Sequence, residues 1–146
     1  MSVPQRISLV TLGVADVAAS TAFYERLGWR RSSASVEGEV TFIETPGPIL
    51  GLWSATELAH DAGRPGATGP SGFRGLALAI NVGSPAEVDD AIDAWVAAGG
   101  SVARPAAATD WGGYSGYVAD PDGHLWELAH NPFWPLDDRG MPTLPR

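Results

Sequence analysis

The chain has no cysteine and no lysine among its 146 residues. Without cysteine there are no disulfides, thiolate nucleophiles or zinc–thiolate sites. Without lysine there is no Schiff base, and so no covalently held pyridoxal phosphate. Positive charge is scarce as well: nine basic residues, all arginine, stand against 17 acidic ones, for a formal charge of −8. Nucleic acid and anionic membrane surfaces recruit clusters of Lys and Arg, so neither is an expected partner. No apolar run reaches the roughly 18 residues of a membrane span, and no charged-then-apolar leader is present. The expected location is the cytoplasm. Glycine-rich dinucleotide and phosphate loops are missing. In Gly113-Tyr114-Ser115-Gly116 the place two residues after the serine is Tyr117, so there is no nucleophile elbow of a hydrolase.

What is present suits a folded domain. With 45% hydrophobic and 18% charged residues, there is enough apolar surface to offset chain entropy, and the length suits one folding unit, with room for internal repeats. Ile7 to Leu12 reads as a strand ending at Gly13, and Asp16 caps a helix from Val17 to Leu27 stopped by Gly28. Short strands are expected at Ser32 to Val36, Glu39 to Glu44 and Ile49 to Trp53. The second half repeats this order: a strand at Leu76 to Val82, then Ser84-Pro85-Ala86-Glu87, a capping box with proline at the first helical position. Val88, Ala91, Ile92, Trp95, Val96 and Gly99 follow at helical spacing. Strands are expected at Ser101 to Arg104, Gly113 to Ala119 and Leu125 to His130. Each half therefore reads as βαβββ, with module 1 at about 5–55, a Gly- and Pro-rich linker at about 56–73, module 2 at about 74–131 and a tail at 132–146.

Three stretches carry a resemblance: Val14-Ala15-Asp16 leading to Phe23-Tyr24-Glu25-Arg26-Leu27-Gly28-Trp29, then Trp111 to Tyr117, then Asp120-Pro121-Asp122-Gly123-His124-Leu125-Trp126-Glu127-Leu128. Together they resemble the glyoxalase, bleomycin-resistance and extradiol-dioxygenase superfamily, the vicinal oxygen chelate group. The resemblance implies an α+β fold in which two βαβββ modules form a curved, barrel-like mixed sheet with the helices on its convex side. It also implies a divalent metal held by two side chains from each module, and a homodimer. Carried onto this chain, the ligand positions fall on Leu9, Gly51, Ala77 and Glu127. Only Glu127 can coordinate, and one carboxylate cannot hold a divalent ion against water. The expectation is therefore no metal and no cofactor, and none of His60, His124 and His130 is assigned a metal role.

Strand alternation turns Glu127 away from Trp126 and Leu128 and into the pocket. There it can act as a general base, the one catalytic residue suggested, or stand as a hydrogen-bonded remnant of a metal site. Trp53 shares the parity of Gly51, and Trp111 and Tyr114 lie on a glycine-rich approach. The expected ligand-binding residues are thus Leu9, Trp53, Ala77, Trp111, Tyr114 and Glu127, around a small planar or apolar organic molecule. Three readings stay open: a metal-free small-molecule-binding protein, a metal-free isomerase or lyase using Glu127, and a metal-dependent lyase or dioxygenase whose ligands lie elsewhere. The aromatic tail, with Phe133, Trp134 and Leu136, is expected to cover a sheet edge or a partner subunit.

Overall fold

The computed structural model describes residues 2–66 and 72–146. The chain falls into two units, Met1–Gly69 and Pro70–Arg146. In the first, β1 (Leu9–Val14) leads to α1 (Val17–Arg26), β2 (Val40–Ile43), β3 (Ile49–Ser54) and α2 (Ala55–Asp61). In the second, β4 (Leu78–Asn81) leads to α3 (Pro85–Ala97), β5 (Ser101–Ala108), β6 (Tyr114–Ala119) and β7 (Leu125–His130). The fold is α+β, with a three-stranded sheet ordered β1-β3-β2 and a four-stranded sheet ordered β4-β7-β6-β5. In both sheets the first strand pairs in parallel with the last, and the last pairs antiparallel with its predecessor. The two sheets thus share one pairing pattern.

The first unit packs one face of its sheet under α1. Asp16 starts the helix by accepting from the Ala19 N–H at 3.0 Å, and Val17, Phe23 and Tyr24 are buried together with Leu12, Val14, Leu50 and Leu52. The Thr21 hydroxyl donates to the Val17 carbonyl at 2.7 Å. Its single proton is then committed, so Thr41 donates in the buried 2.7 Å bond between the two threonines. That bond ties α1 to β2.

Two expectations for this unit are corrected. Ser32 to Val36 is not a strand: only isolated bridges, Arg31 with Ile43 and Val36 with Val40, remain. Local bonds compete for that backbone, since the Ser32 hydroxyl accepts from the Ala34 N–H and the Ser32 carbonyl from the Ser35 N–H. The stretch read as a linker begins as a helix, α2, capped by Ser54 accepting from the Glu57 N–H at 3.3 Å. Nor does α2 join α1. A Cβ placed on Gly13, on the face away from α1, would lie 3.1 Å from the Ala55 Cα and 3.4 Å from a Leu58 methyl, so α2 covers that end of the opposite face. Residues 67–71 of the linker lie outside the described residues.

The second unit is βαβββ as expected, though β4 is shorter and β5 longer. Ser84 accepts from the Glu87 N–H at 3.2 Å and donates to its carboxylate at 3.2 Å. The core between α3 and the sheet holds Val88, Trp95, Val118, Trp126 and Leu128. The Trp95 ring lies 5.6 Å from that of Trp126, tilted at 54°, and its indole N–H donates to the Ala119 carbonyl at 2.8 Å. Gly100 makes room for that ring: a Cβ there would sit 2.3 Å from Trp95 Cδ1. The tail closes on a turn in which Asp137 accepts from the Arg139 and Met141 N–H groups, both at 2.9 Å. Phe133 is 63% exposed there.

Candidate functional site

Register decides which side chains share a face. In the first sheet Leu9 pairs with Ile49, Thr11 with Gly51 and Gly13 with Trp53, while Phe42 and Val40 complete the rows from β2. These residues form the face away from α1. Leu9 is 47% exposed and Trp53 half-buried. The sequence-based site members of this unit, Leu9 and Trp53, are thus on one face, the latter near the end that α2 covers.

In the second sheet the row through Glu127 runs Ala79, Glu127, Tyr117, Arg104 across four strands. All four face away from α3. Glu127 is half-buried, and among the described residues neither its carboxylate nor the Tyr117 hydroxyl makes a hydrogen bond. Arg104 is anchored: its Nη2 donates to the Ser115 carbonyl at 2.8 Å and to the Ser115 hydroxyl at 2.9 Å. Its guanidinium carbon lies 5.1 Å from the centre of the Tyr117 ring, a cation–π arrangement. Ala77 precedes β4 and is exposed.

Trp111 is 48% exposed, and its ring lies where a side chain on residue 113 would be, 2.1 Å from a built Cβ, which is why glycine stands there. Gly113 continues the parity of Ser115 and Tyr117, so Trp111 flanks the Glu127 face at its β5–β6 end.

Tyr114 does not belong with them. It shares the parity of Gly116 and Val118, under α3, and its hydroxyl donates to Asp89 Oδ1 on that helix at 2.7 Å. That hydrogen bond, then burial, then the Asp89 charge hold the phenol above its ordinary pKa. Tyr114 instead borders a separate open groove of about 450 Å³ between Asp89, Ile92 and Asp93 of α3 and Val102 and Pro105 of β5. Its grouping with Glu127 is corrected by one residue of strand parity.

Of the four metal-ligand positions carried over by resemblance, Leu9, Gly51 and Ala77 have no donor side chain, and Gly51 has only the Thr11 hydroxyl close beside it. Among the described residues no three His, Cys, Asp or Glu side chains gather. This donor set does not fit a divalent cation, which needs several ligands at fixed geometry. Two histidines have other partners. The His130 Nδ1 donates to the Val82 carbonyl at 3.1 Å, and His124 accepts at Nδ1 from Arg74 at 2.9 Å, since a guanidinium has no lone pair to offer.

Sequence reasoning missed Arg104, Thr11 and Ser115 as members of these faces. Alternation along β6 separates Ser115 and Tyr117 from Tyr114 and was available to it. The placement of Arg104 was not, because β5 meets β6 through two register shifts, on either side of Arg104.

The model of the glyoxalase/bleomycin resistance protein/dioxygenase superfamily matches residues 6–128. Among solved structures, a glyoxalase-related enzyme from Fulvimarina pelagi is 40% identical, with a TM-score of 0.85 over 97% of this chain and 99% of that one. A glyoxalase/bleomycin resistance protein/dioxygenase from Nocardioides is 31% identical, with a TM-score of 0.73 over 89% and 85% of the two chains. A family enzyme of that description from Burkholderia phytofirmans shares the fold at 19% identity, with a TM-score of 0.76 over 86% and 98%. No curated protein matches the chain.

Proposed function

The chain belongs to the glyoxalase/bleomycin resistance protein/dioxygenase superfamily, and from that premise we propose that it binds a small organic molecule, planar or apolar in body, at a site that does not use a metal. The observation that carries this reading is the Glu127 row: among the described residues, a carboxylate and a phenol without hydrogen bonds, side by side on the sheet face opposite α3. Trp111 at the end of that face supplies a ring for stacking. The donor-poor ligand positions count against metal-dependent chemistry. A homodimer in the cytoplasm, with the exposed Phe133 and Trp134 of the tail against the partner, completes the proposal.

A second reading is favoured by the description of the 40% identical relative as an enzyme. In it Glu127 takes a proton from the bound molecule as a general base in a metal-free isomerisation or elimination, with Tyr117 its cross-strand neighbour. Both readings place the ligand on Glu127, and one experiment tests that placement. Titrated with planar compounds that carry a cationic amidinium group, Glu127→Gln is expected to bind more weakly by about 1.5–3 kcal/mol, the usual worth of a hydrogen bond to a charged group. Neutral planar compounds are expected to change far less. Equal affinities for these cations in parent and variant would place the ligand elsewhere.

A further inference from the structure

We infer that Arg104 is an anion-binding subsite, so that the ligand is an organic acid carrying its acidic group at one end and a hydrogen-bond donor at the other. This rests on the proposed ligand site at Glu127 and narrows its chemistry. Arg104 and Glu127 are two strands apart in one cross-strand row, with Tyr117 between them, which separates their backbones by about 10 Å. A planar molecule that meets both groups lies along this row beside the Tyr117 ring, one face of which the guanidinium occupies.

The guanidinium is held as a binding group is held. Its Nη2 is fixed to the carbonyl and hydroxyl of Ser115, and its plane is steadied against the Tyr117 ring. The Ser115 hydroxyl is itself buried, 2% exposed as a residue, so the anchor does not swing with solvent. Among the described residues the donors on Nη1 and Nε have no hydrogen-bond partner and Arg104 has no ion pair. A chain carrying −8 has many carboxylates to spare, yet among the described residues none pairs with this arginine. Pre-organised donors lose little freedom on meeting a carboxylate or phosphate, and a charge-assisted bond is about twice as strong as a neutral one. At the other end Glu127 accepts from a hydroxyl or ammonium group, so the two ends of the row fix the ligand's direction. The competing explanation is a structural clip, in which Arg104 only fastens the irregular strand β5 to β6.

The test uses the full-length protein and 6-hydroxy-2-naphthoate, a planar acid with a hydroxyl at the far end, beside its methyl ester and 2-naphthoate, titrated by calorimetry. The parent is expected to bind the acid at least about tenfold more tightly than the ester. Arg104→Gln is expected to abolish that preference, weakening the acid far more than the ester, and Arg104→Lys, which keeps the charge without the fork, to restore part of it. Glu127→Gln is expected to lower the affinity of 6-hydroxy-2-naphthoate relative to that of 2-naphthoate. Equal binding of acid and ester by the parent overturns the Arg104 subsite and leaves the Glu127 site standing. An acid preference that survives Arg104→Gln, with the variant's melting temperature lowered, shows a clip and overturns it too. Failure of all three compounds to bind overturns both.

Discussion

Glu127 and Tyr114 lie on opposite faces of one sheet and answer to different neighbours. Glu127 meets Tyr117 across the strands, whereas Tyr114 reaches the Asp89 carboxylate of α3. Ionising Tyr114 would set two anions against each other and remove the donor of that bond, so its pKa is raised. The sign of the linkage follows: the bond's stabilisation is present at pH below the ordinary phenol value of about 10 and is lost as pH rises through the higher folded value. In an ultraviolet difference titration, with Tyr114→Phe identifying the signal, Tyr114 is expected to ionise above the ordinary range, and Asp89→Asn to bring it back down. Tyr114 ionising at the same pH in parent and Asp89→Asn would show that the contact is absent in solution. Sequence alone placed the Glu127 side chain correctly with respect to Trp126 and Leu128, because alternation along one strand needs no partner. It misplaced Tyr114, which was grouped by nearness to Trp111 in the chain rather than by its parity with Gly116 and Val118.

At the level of elements, α1 and α3 were legible because their signals are local. An Asp or Ser cap, a proline at the first turn and an apolar stripe act within a dozen residues, and the structure shows each cap bonded. The missing strand at Ser32 to Val36 and the unexpected α2 share a cause. Both stretches are short, and their fate rests on bonds of serine hydroxyls: the Ser32 N–H pairs with the Phe42 carbonyl, but the Ser32 and Ser35 hydroxyls then take the Ala34 and Phe42 N–H groups, while Ser54 starts a helix in the other stretch. The irregular β5 was half legible: its start at Ser101 was expected, its extension to Ala108 through two register shifts was not. The contact between α3 and the sheet gives a stability prediction. Gly100→Ala puts a methyl into the Trp95 indole and against the Ala119 carbonyl, which should break the 2.8 Å bond between them and destabilise the protein by about 1–3 kcal/mol. Urea denaturation followed by tryptophan emission measures it, and an unchanged midpoint would mean that the indole sits elsewhere.

For the whole molecule, the two units repeat one topology: a first strand parallel to the last, a helix on one face, and the candidate residues on the other. The superfamily was legible because its signature stretches survive in sequence, while the repeat itself survives mainly in strand order. At the ligand positions that the resemblance implies, Leu9, Gly51 and Ala77 carry no donor side chain, and of the four only Glu127 could coordinate. Native mass spectrometry of the purified protein, after expression with added zinc, manganese or iron, is expected to show a dimer without bound metal. One metal per chain, lost in Glu127→Ala, would mean that ligands were misassigned, and a monomer at micromolar concentration would remove the proposed partner from the tail. The measurement that bears most directly on the central claim asks which face of the second sheet the ligand touches. With alanine, isoleucine and valine methyls labelled and the tightest planar compound bound, NMR contacts from the ligand to the Ala79 methyl, beside Glu127, are expected, together with a loss of affinity in Glu127→Gln. Contacts instead to the Ile92 and Val102 methyls, in the groove beside α3 and Tyr114, would contradict it.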